Sequence, residues 1–276
     1  MIKVIKPGLW STIQDMGRTN WRHIGVPLSG SMDQQSAVQA NSILGNELKS
    51  PVLEITLIGP ELEFEEESVV AICGADFKTT LNGIQVKNNA RINIQTGDIL
   101  SFGSAVDGAR AYIAIKGGFQ SVIILDSSSW YNGITPQIKL KGGEQLKVVE
   151  SLSNAVYNEH LLPIDLDKKI LSVHPGPEFE MMSDKQKQLL AQKFTIGVND
   201  RMGYRLKEEI PNAFASMLSS PVLPGTVQLT PSGKMIILMR DCQTTGGYPR
   251  ILQLTDESIN LLAQKVTGDQ IRFEMF

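Results

Sequence analysis

The chain of 276 residues is poor in the groups that most enzymes use for chemistry. It has two cysteines, Cys73 and Cys242, three histidines and only 6% aromatic residues. The two cysteines leave one disulfide open in principle, but each ends a β-like run, and buried free thiols in a reducing compartment are the expected reading. The histidines are scattered, no pair has metal-ligand spacing, and no HExxH, CxxC, Walker-A or Gly-x-Ser-x-Gly pattern is present. No metal site and no self-contained nucleophilic hydrolase is therefore expected. A basic surplus is also missing. Lys and Arg number 26 against 29 Asp and Glu, a net charge of −3, which argues against a nucleic-acid partner. No apolar run approaches the roughly 20 residues that span a bilayer. Met1–Ile5 is too short for a signal-peptide core, so no membrane association is expected and the expected address is the cytoplasm.

What the chain does have is glycine, 24 residues, and 42% hydrophobic residues, the composition of a turn-rich β protein with ample core. Its length suggests two domains. Strand signals dominate. Pro51 to Ile58, Val69 to Cys73 and Ala111 to Ile115 are apolar runs, while Glu61–Phe64 and Arg91–Ile94 alternate. Asn82-Gly83 is a hairpin signal. Gly103 to Gly108 reads as a further hairpin turn. Helical patterns are few: Met32 to Leu44, with Ser31 or Ser29 as N-cap and Gly45 as the stop; Ser183 to Lys193; and Asp256 to Ala263.

The chain also reads as a duplication. Lys6-Pro7-Gly8 matches His174-Pro175-Gly176, and His23-Ile24-Gly25-Val26 before Met32 matches Thr195-Ile196-Gly197-Val198 before Met202. Gly59-Pro60-Glu61-Leu62 matches Pro224-Gly225-Thr226-Val227. Thr96-Gly97-Asp98 before Phe102 matches Thr267-Gly268-Asp269 before Phe273. The expected fold is mainly β, two barrels with a few short helices, one over residues 1–164 and one over 165–276. The boundary falls in the polar stretch Ser151 to Lys169.

The most polar loop is Asp241-Cys242-Gln243-Thr244-Thr245-Gly246-Gly247-Tyr248-Pro249, which follows the strand-like run Met235–Met239. Paired glycines let backbone approach a ligand, and Gln243, Thr244, Thr245 and Tyr248 supply amide and hydroxyl groups. The expected site places this loop in a cleft with Arg201 and Tyr204, and His23, Ser29 and Asp33 in an equivalent cleft of the first half. His23 reads either as a general base or as a half-buried histidine capping a strand. Arg18 and Arg22 read either as binders of a carboxylate or phosphate or as surface partners of Asp15 or Glu54. Arg205, with Arg201, flanks Met202-Gly203-Tyr204 in the matching part of the second half, which favours anion binding. No catalytic residue is assigned.

Several ordered motifs resemble one family. They are Trp10 to Arg18, Gly25 to Asp33 followed by Ala40-Asn41 and Leu44-Gly45-Asn46, Leu53 to Thr56 with Gly59-Pro60, Asp200 to Leu206, and Gln243 to Pro249. Together they resemble the biotin-dependent carboxyltransferase-like family, also called allophanate hydrolase subunit 2. It includes the C subunit of 5-oxoprolinase, the sporulation-kinase regulator KipA and the carboxyltransferase domain of urea carboxylase. Gly118 to Leu140 departs from the family pattern, so no ligand contact is carried over from it.

The resemblance implies two cyclophilin-like β-barrel domains. It implies one component of an ATP-dependent 5-oxoprolinase complex that hydrolyses 5-oxoproline to glutamate, inactive alone, with a KipI-like B subunit and a LamB/YcsF-like A subunit as partners. ATP, used at the level of the complex, would phosphorylate the lactam oxygen and make C5 electrophilic. Two alternatives stay open. One is the carboxyltransferase component of a biotin-dependent urea or amide carboxylase, biotin's ureido group being another planar amide. The other is a KipA-type regulator that binds a KipI-like kinase inhibitor.

Overall fold

The computed structural model describes residues 1–149, 162–215 and 217–276. The chain forms two compact units, one of Met1–Gly17 with Ser29–Leu166, the other of Arg18–Leu28 with Asp167–Phe276. The segment Arg18–Leu28, which the sequence pattern places in the first half, thus clusters with the second unit. Residues 151–161 of the expected boundary stretch lie outside the described residues.

The first unit is built from two sheets. The larger runs in the order Phe119–Gln120, Gln145–Val148, Ile2–Lys6, Glu61–Phe64, Ile99–Ser101, Thr80–Leu81 and Ile84–Gln85. The other runs Trp10–Gln14, Val52–Thr56, Asp107–Ile115, Ser68–Asp76 and Arg91–Ile94. Alternation explains the packing. Leu62, Phe64 and Leu100 from one sheet meet Leu53, Ile55, Ile72 and Ile113 from the other in a single core. The smaller sheet is buried on both faces, so its central strands read as unbroken apolar runs. Along Asp107–Ile115, Ala111, Ile113 and Ile115 enter that core, whereas Tyr112 and Ala114 face Ala37, Ala40 and Leu44 of helix α1 (Gln34–Leu44).

Local chemistry sets the joins. Asn82 and Gly83 have φ of 51° and 82° and turn Thr80–Leu81 back onto Ile84–Gln85 with Leu81 opposite Ile84. Helix α1 is capped by Asp33, not by Ser29 or Ser31; Oδ1 of Asp33 accepts from Ser36 N at 3.0 Å, and Gly45 ends the helix left-handed. Gly103 to Gly108 is not a hairpin turn. It carries the chain from Ile99–Ser101 in one sheet to Asp107–Ile115 in the other.

The second unit is a closed barrel in the order Ile170–Pro175, Arg250–Leu254, Thr226–Leu229, Lys234–Leu238, Gly203–Glu209, Phe194–Asn199, Gln270–Met275. It closes through a parallel pairing, Leu171 opposite Phe273, so among the described residues the barrel's own seven strands have no open edge. Helix α2 (Asp184–Leu189) starts with a capping box between Ser183 and Gln186, and helix α3 (Asp256–Leu262) is capped by Thr255.

The matched segments behave unequally. Asp98 Oδ2 accepts from Gln95 N at 2.7 Å and Asp269 Oδ2 from Val266 N at 2.8 Å, so the two Thr-Gly-Asp turns share one geometry. His23-Ile24 lies in a single 3-10 turn, whereas Thr195–Val198 lies in a strand, so that pair does not correspond. Among the described residues no helix is long and apolar enough to cross a membrane.

Candidate functional site

After strand Lys234–Leu238 the second unit sends out the loop Gln243–Pro249 before re-entering the barrel at Arg250–Leu254. The loop is laced to an adjacent strap. Val222 N donates to Thr244 O at 3.1 Å and Met217 N to Gly247 O at 3.3 Å, and Ser220–Pro221 pairs with Thr245–Gly246. A side chain at position 246 would bring its Cβ within 2.4 Å of Gln228 Nε2. Glycine there lets the loop lie directly on Gln228.

Beside the loop lies a cleft of about 290 Å3. Its polar lining is Asn199, Asp200, Arg205, Gln228, Gln243 and Tyr248, and its apolar walls are Val198, Met202, Ile236 and Leu238. Asp200 braces the turn below it, Oδ1 accepting from Met202 N at 2.7 Å and Gly203 N at 3.0 Å. The amides of Gln228 and Gln243, one guanidinium and one phenol thus line a small space with apolar walls, beside the Asp200 carboxylate and an Asn199 whose Nδ2 already donates to Gly197 O and Thr267 Oγ1. That set suits a planar amide that also carries a carboxylate.

Of the residues expected here, Gln243, Tyr248 and Arg205 come together. Arg201 does not line the cleft. Its fork grips Asp241, Nε to Oδ2 at 2.7 Å and Nη2 to Oδ1 at 3.0 Å. Tyr204 cannot meet a ligand, because it is fully buried and its hydroxyl donates to Lys265 O at 3.3 Å. Thr244 uses its carbonyl to accept from Val222 N, and Thr245 is exposed in the two-residue ladder. Asn199, Asp200 and Gln228 were not expected. Gln228 is detectable in principle, as a lone amide in a strand buried at every position.

The residues expected in a cleft of the first half fall in different units. His23 is exposed in the second unit, with Nδ1 3.0 Å from Asn20 O. Ser29 and Asp33 belong to the first unit and both are buried. Ser29 takes φ of 56°, and the oxygens of Asp33 accept from the backbone and the hydroxyl of Ser36. Arg18 and Arg22 both belong to the second unit. Arg18 is completely buried, and Arg22 donates to the carbonyls of Val222 and Thr244. Glu54 accepts from Met32 N at 2.8 Å in the interior of the first unit.

The altered segment Gly118 to Leu140 has an anchor the sequence does not advertise. The Asp15 carboxylate accepts from Ser127 Oγ at 2.7 Å, Ser129 Oγ at 2.6 Å, Ser128 N at 2.6 Å and Gly17 N at 2.8 Å. Both thiols are buried and free; burial pushes Cys73 up to about 12 and Cys242 up to about 11, the second against a lowering by Arg22. Neither is a nucleophile at neutral pH. Among the described residues no cluster of three or more His, Cys, Asp or Glu side chains could hold a metal.

A family model described as "Carboxyltransferase domain, subdomain A and B" matches residues 24–275. The C subunit of the Escherichia coli 5-oxoprolinase is 32% identical over 282 residues, covering 99% of this chain and 90% of that protein. Among solved structures, TTHA0988 superposes with a TM-score of 0.88 at 29% identity, covering 99% of this chain. The Kluyveromyces lactis urea carboxylase gives 0.89 at 30% identity, again over 99% of this chain. The chain spans 55% of the length of TTHA0988 and 27% of that carboxylase.

Proposed function

The chain belongs to the carboxyltransferase domain family, subdomains A and B, and from that premise we propose that it is the C subunit of an ATP-dependent 5-oxoprolinase complex. The observation that carries the proposal is end-to-end similarity to a protein of that name, 99% of this chain against 90% of the relative. The cleft of the second unit fits the substrate. A lactam offers one carbonyl and one N–H, which the amides of Gln243 and Gln228 complement, and its carboxylate suits Arg205.

This cleft does not suit ATP. Its lining offers one cation, Arg205, beside one carboxylate, Asp200. A triphosphate calls for several cations or a nest of backbone N–H groups. On this reading ATP is used at the level of the complex, outside this cleft, with two partners. These are a KipI-like B subunit and a LamB/YcsF-like A subunit, and the chain alone is inactive. On this reading the chain contributes recognition: it orients the lactam and holds its carboxylate, with no nucleophile of its own.

A second reading draws on the resemblance to urea carboxylase. The ureido ring of biotin is also a planar amide, and the same cleft would take it in a carboxyltransferase. The experiment that separates the readings co-expresses this chain with both partners and assays 5-oxoproline hydrolysis with Gln243→Ala and Arg205→Ala variants. Loss of hydrolysis in both variants supports the lactam site. Unchanged hydrolysis in both contradicts it.

A further inference from the structure

We infer that Arg22 is a positioning residue, whose guanidinium fastens the Gln243–Tyr248 loop to the Val222 strap and so holds Gln243 at the cleft. The functional reading of that cleft is the one proposed above; the clamp itself rests on geometry alone. Nη2 of Arg22 donates to the backbone carbonyls of Val222 and of Thr244, the latter at 3.4 Å. Val222 N in turn donates to Thr244 O at 3.1 Å. One side chain therefore ties together two stretches that lie 200 and 222 residues further along the chain. Below the joint, Val222, Leu238 and Cys242 form a small apolar cluster.

The turn that presents Arg22 is itself closed. Arg18 N donates to Leu28 O at 2.7 Å, Gly25 N to Arg22 O at 3.0 Å and Val26 N to Trp21 O at 3.4 Å. Gly25 sits at φ of 86°, a conformation that L side chains rarely adopt. This explains why Arg18–Leu28 clusters with the second unit: it delivers a clamp.

The loop needs one. Its ladder to the strap is two residues long on each side, Ser220–Pro221 against Thr245–Gly246, and a short two-stranded ladder is marginal in water. Hydrogen bonds from a charged donor are roughly twice as strong as neutral ones. A guanidinium, with five donors in a rigid fork, can serve two carbonyls at once, whereas an ammonium acts as a point charge.

The test is hydrogen exchange on the full chain, comparing the native protein with Arg22→Met and Arg22→Lys. Met217 and Val222 report the strap, and strands Ile170–Pro175 and Thr226–Leu229 serve as reference. The expected result is exchange at least ten-fold faster at Met217 and Val222 in Arg22→Met, an intermediate rise in Arg22→Lys, and unchanged barrel strands. Unchanged exchange at the strap in Arg22→Met overturns the inference, whatever the activity. Equal acceleration throughout the barrel also overturns it, since the residue would then serve general stability. The reconstituted complex supplies the second readout. Arg22→Met should lower kcat/KM as far as Gln243→Ala does, and the double variant should fall no further. A loosened loop with full activity upholds the clamp and removes the ligand site from this loop.

Discussion

Arg201 and Asp241 form a bidentate ion pair in the second unit, each about 10% exposed. The backbone repeats the contact, Asp241 N donating to Arg201 O at 2.9 Å and Met239 N to Met202 O at 2.9 Å. The pair thus joins the turn before strand Gly203–Glu209 to the turn after strand Lys234–Leu238, next to the cleft. Arg201 is part of the frame of the site rather than a ligand group.

Removing one partner of such a pair strands a buried charge. Arg201→Ala should destabilise the second unit by about 3–5 kcal/mol, read as a fall in the urea midpoint. The double variant Arg201→Met with Asp241→Leu should recover most of that loss. A cost below about 1 kcal/mol in the single variant would place the pair with exposed ion pairs and contradict its structural role.

Neighbours on one strand should behave oppositely. Arg205 faces the cleft and Tyr204 the barrel interior. Arg205→Ala should lower kcat/KM of the reconstituted complex by about ten-fold or more, the consequence of losing about 1.5–3 kcal/mol of charged hydrogen bonding. Tyr204→Phe should leave kcat/KM unchanged and cost about 1 kcal/mol of stability. Equal kinetic effects would contradict the assigned facing.

Much of this was legible locally. The Asn82-Gly83 turn, the strands Glu61–Phe64 and Arg91–Ile94 and the existence of the three helices announce themselves through turn chemistry, alternation and stop signals, although α1 takes Asp33 as its cap and α2 ends at Leu189, short of Lys193. Even the fate of Tyr204 is written in its strand: Tyr204 and Leu206 alternate with Arg205 and Lys207, so the aromatic ring belongs inside. A motif reading that groups Tyr204 with ligand residues overlooks that period. What was not legible is long-range. The serines that satisfy Asp15 lie 112 to 114 residues away, and the parallel strand pair that closes the barrel joins its two ends. Periodicity describes a segment's own faces and carries no information about its distant partner.

A pH effect follows from Glu178. Two hydrogen bonds from the Arg250 side chain, at 2.9 and 2.7 Å, hold its carboxyl below the ordinary value of 4.5, against the opposing effect of burial. A depressed carboxylate stabilises the fold above its unfolded pKa and loses that contribution as pH falls through the folded one. The native protein should therefore lose more stability than Glu178→Gln as pH falls below the ordinary carboxylate value of 4.5. Parallel pH profiles would contradict the linkage.

The thiols give a chemical check on burial. With Cys73 pushed up to about 12 and Cys242 up to about 11, the thiolate fraction at about pH 8 is very small. The folded chain should release no chromophore from an aromatic disulfide reagent, and the unfolded chain should titrate both thiols. Rapid reaction of one thiol in the folded protein would show that the structure around it opens, the strand Ser68–Asp76 for Cys73 or the loop after Lys234–Leu238 for Cys242.

The most direct test of the central claim is glutamate formation from 5-oxoproline with ATP, measured for three preparations: the co-expressed complex, the complex lacking this chain, and this chain alone. ATP-dependent glutamate release is expected of the complex only. Release by the chain alone, or undiminished release by the complex that lacks it, would contradict the assignment as a recognition subunit.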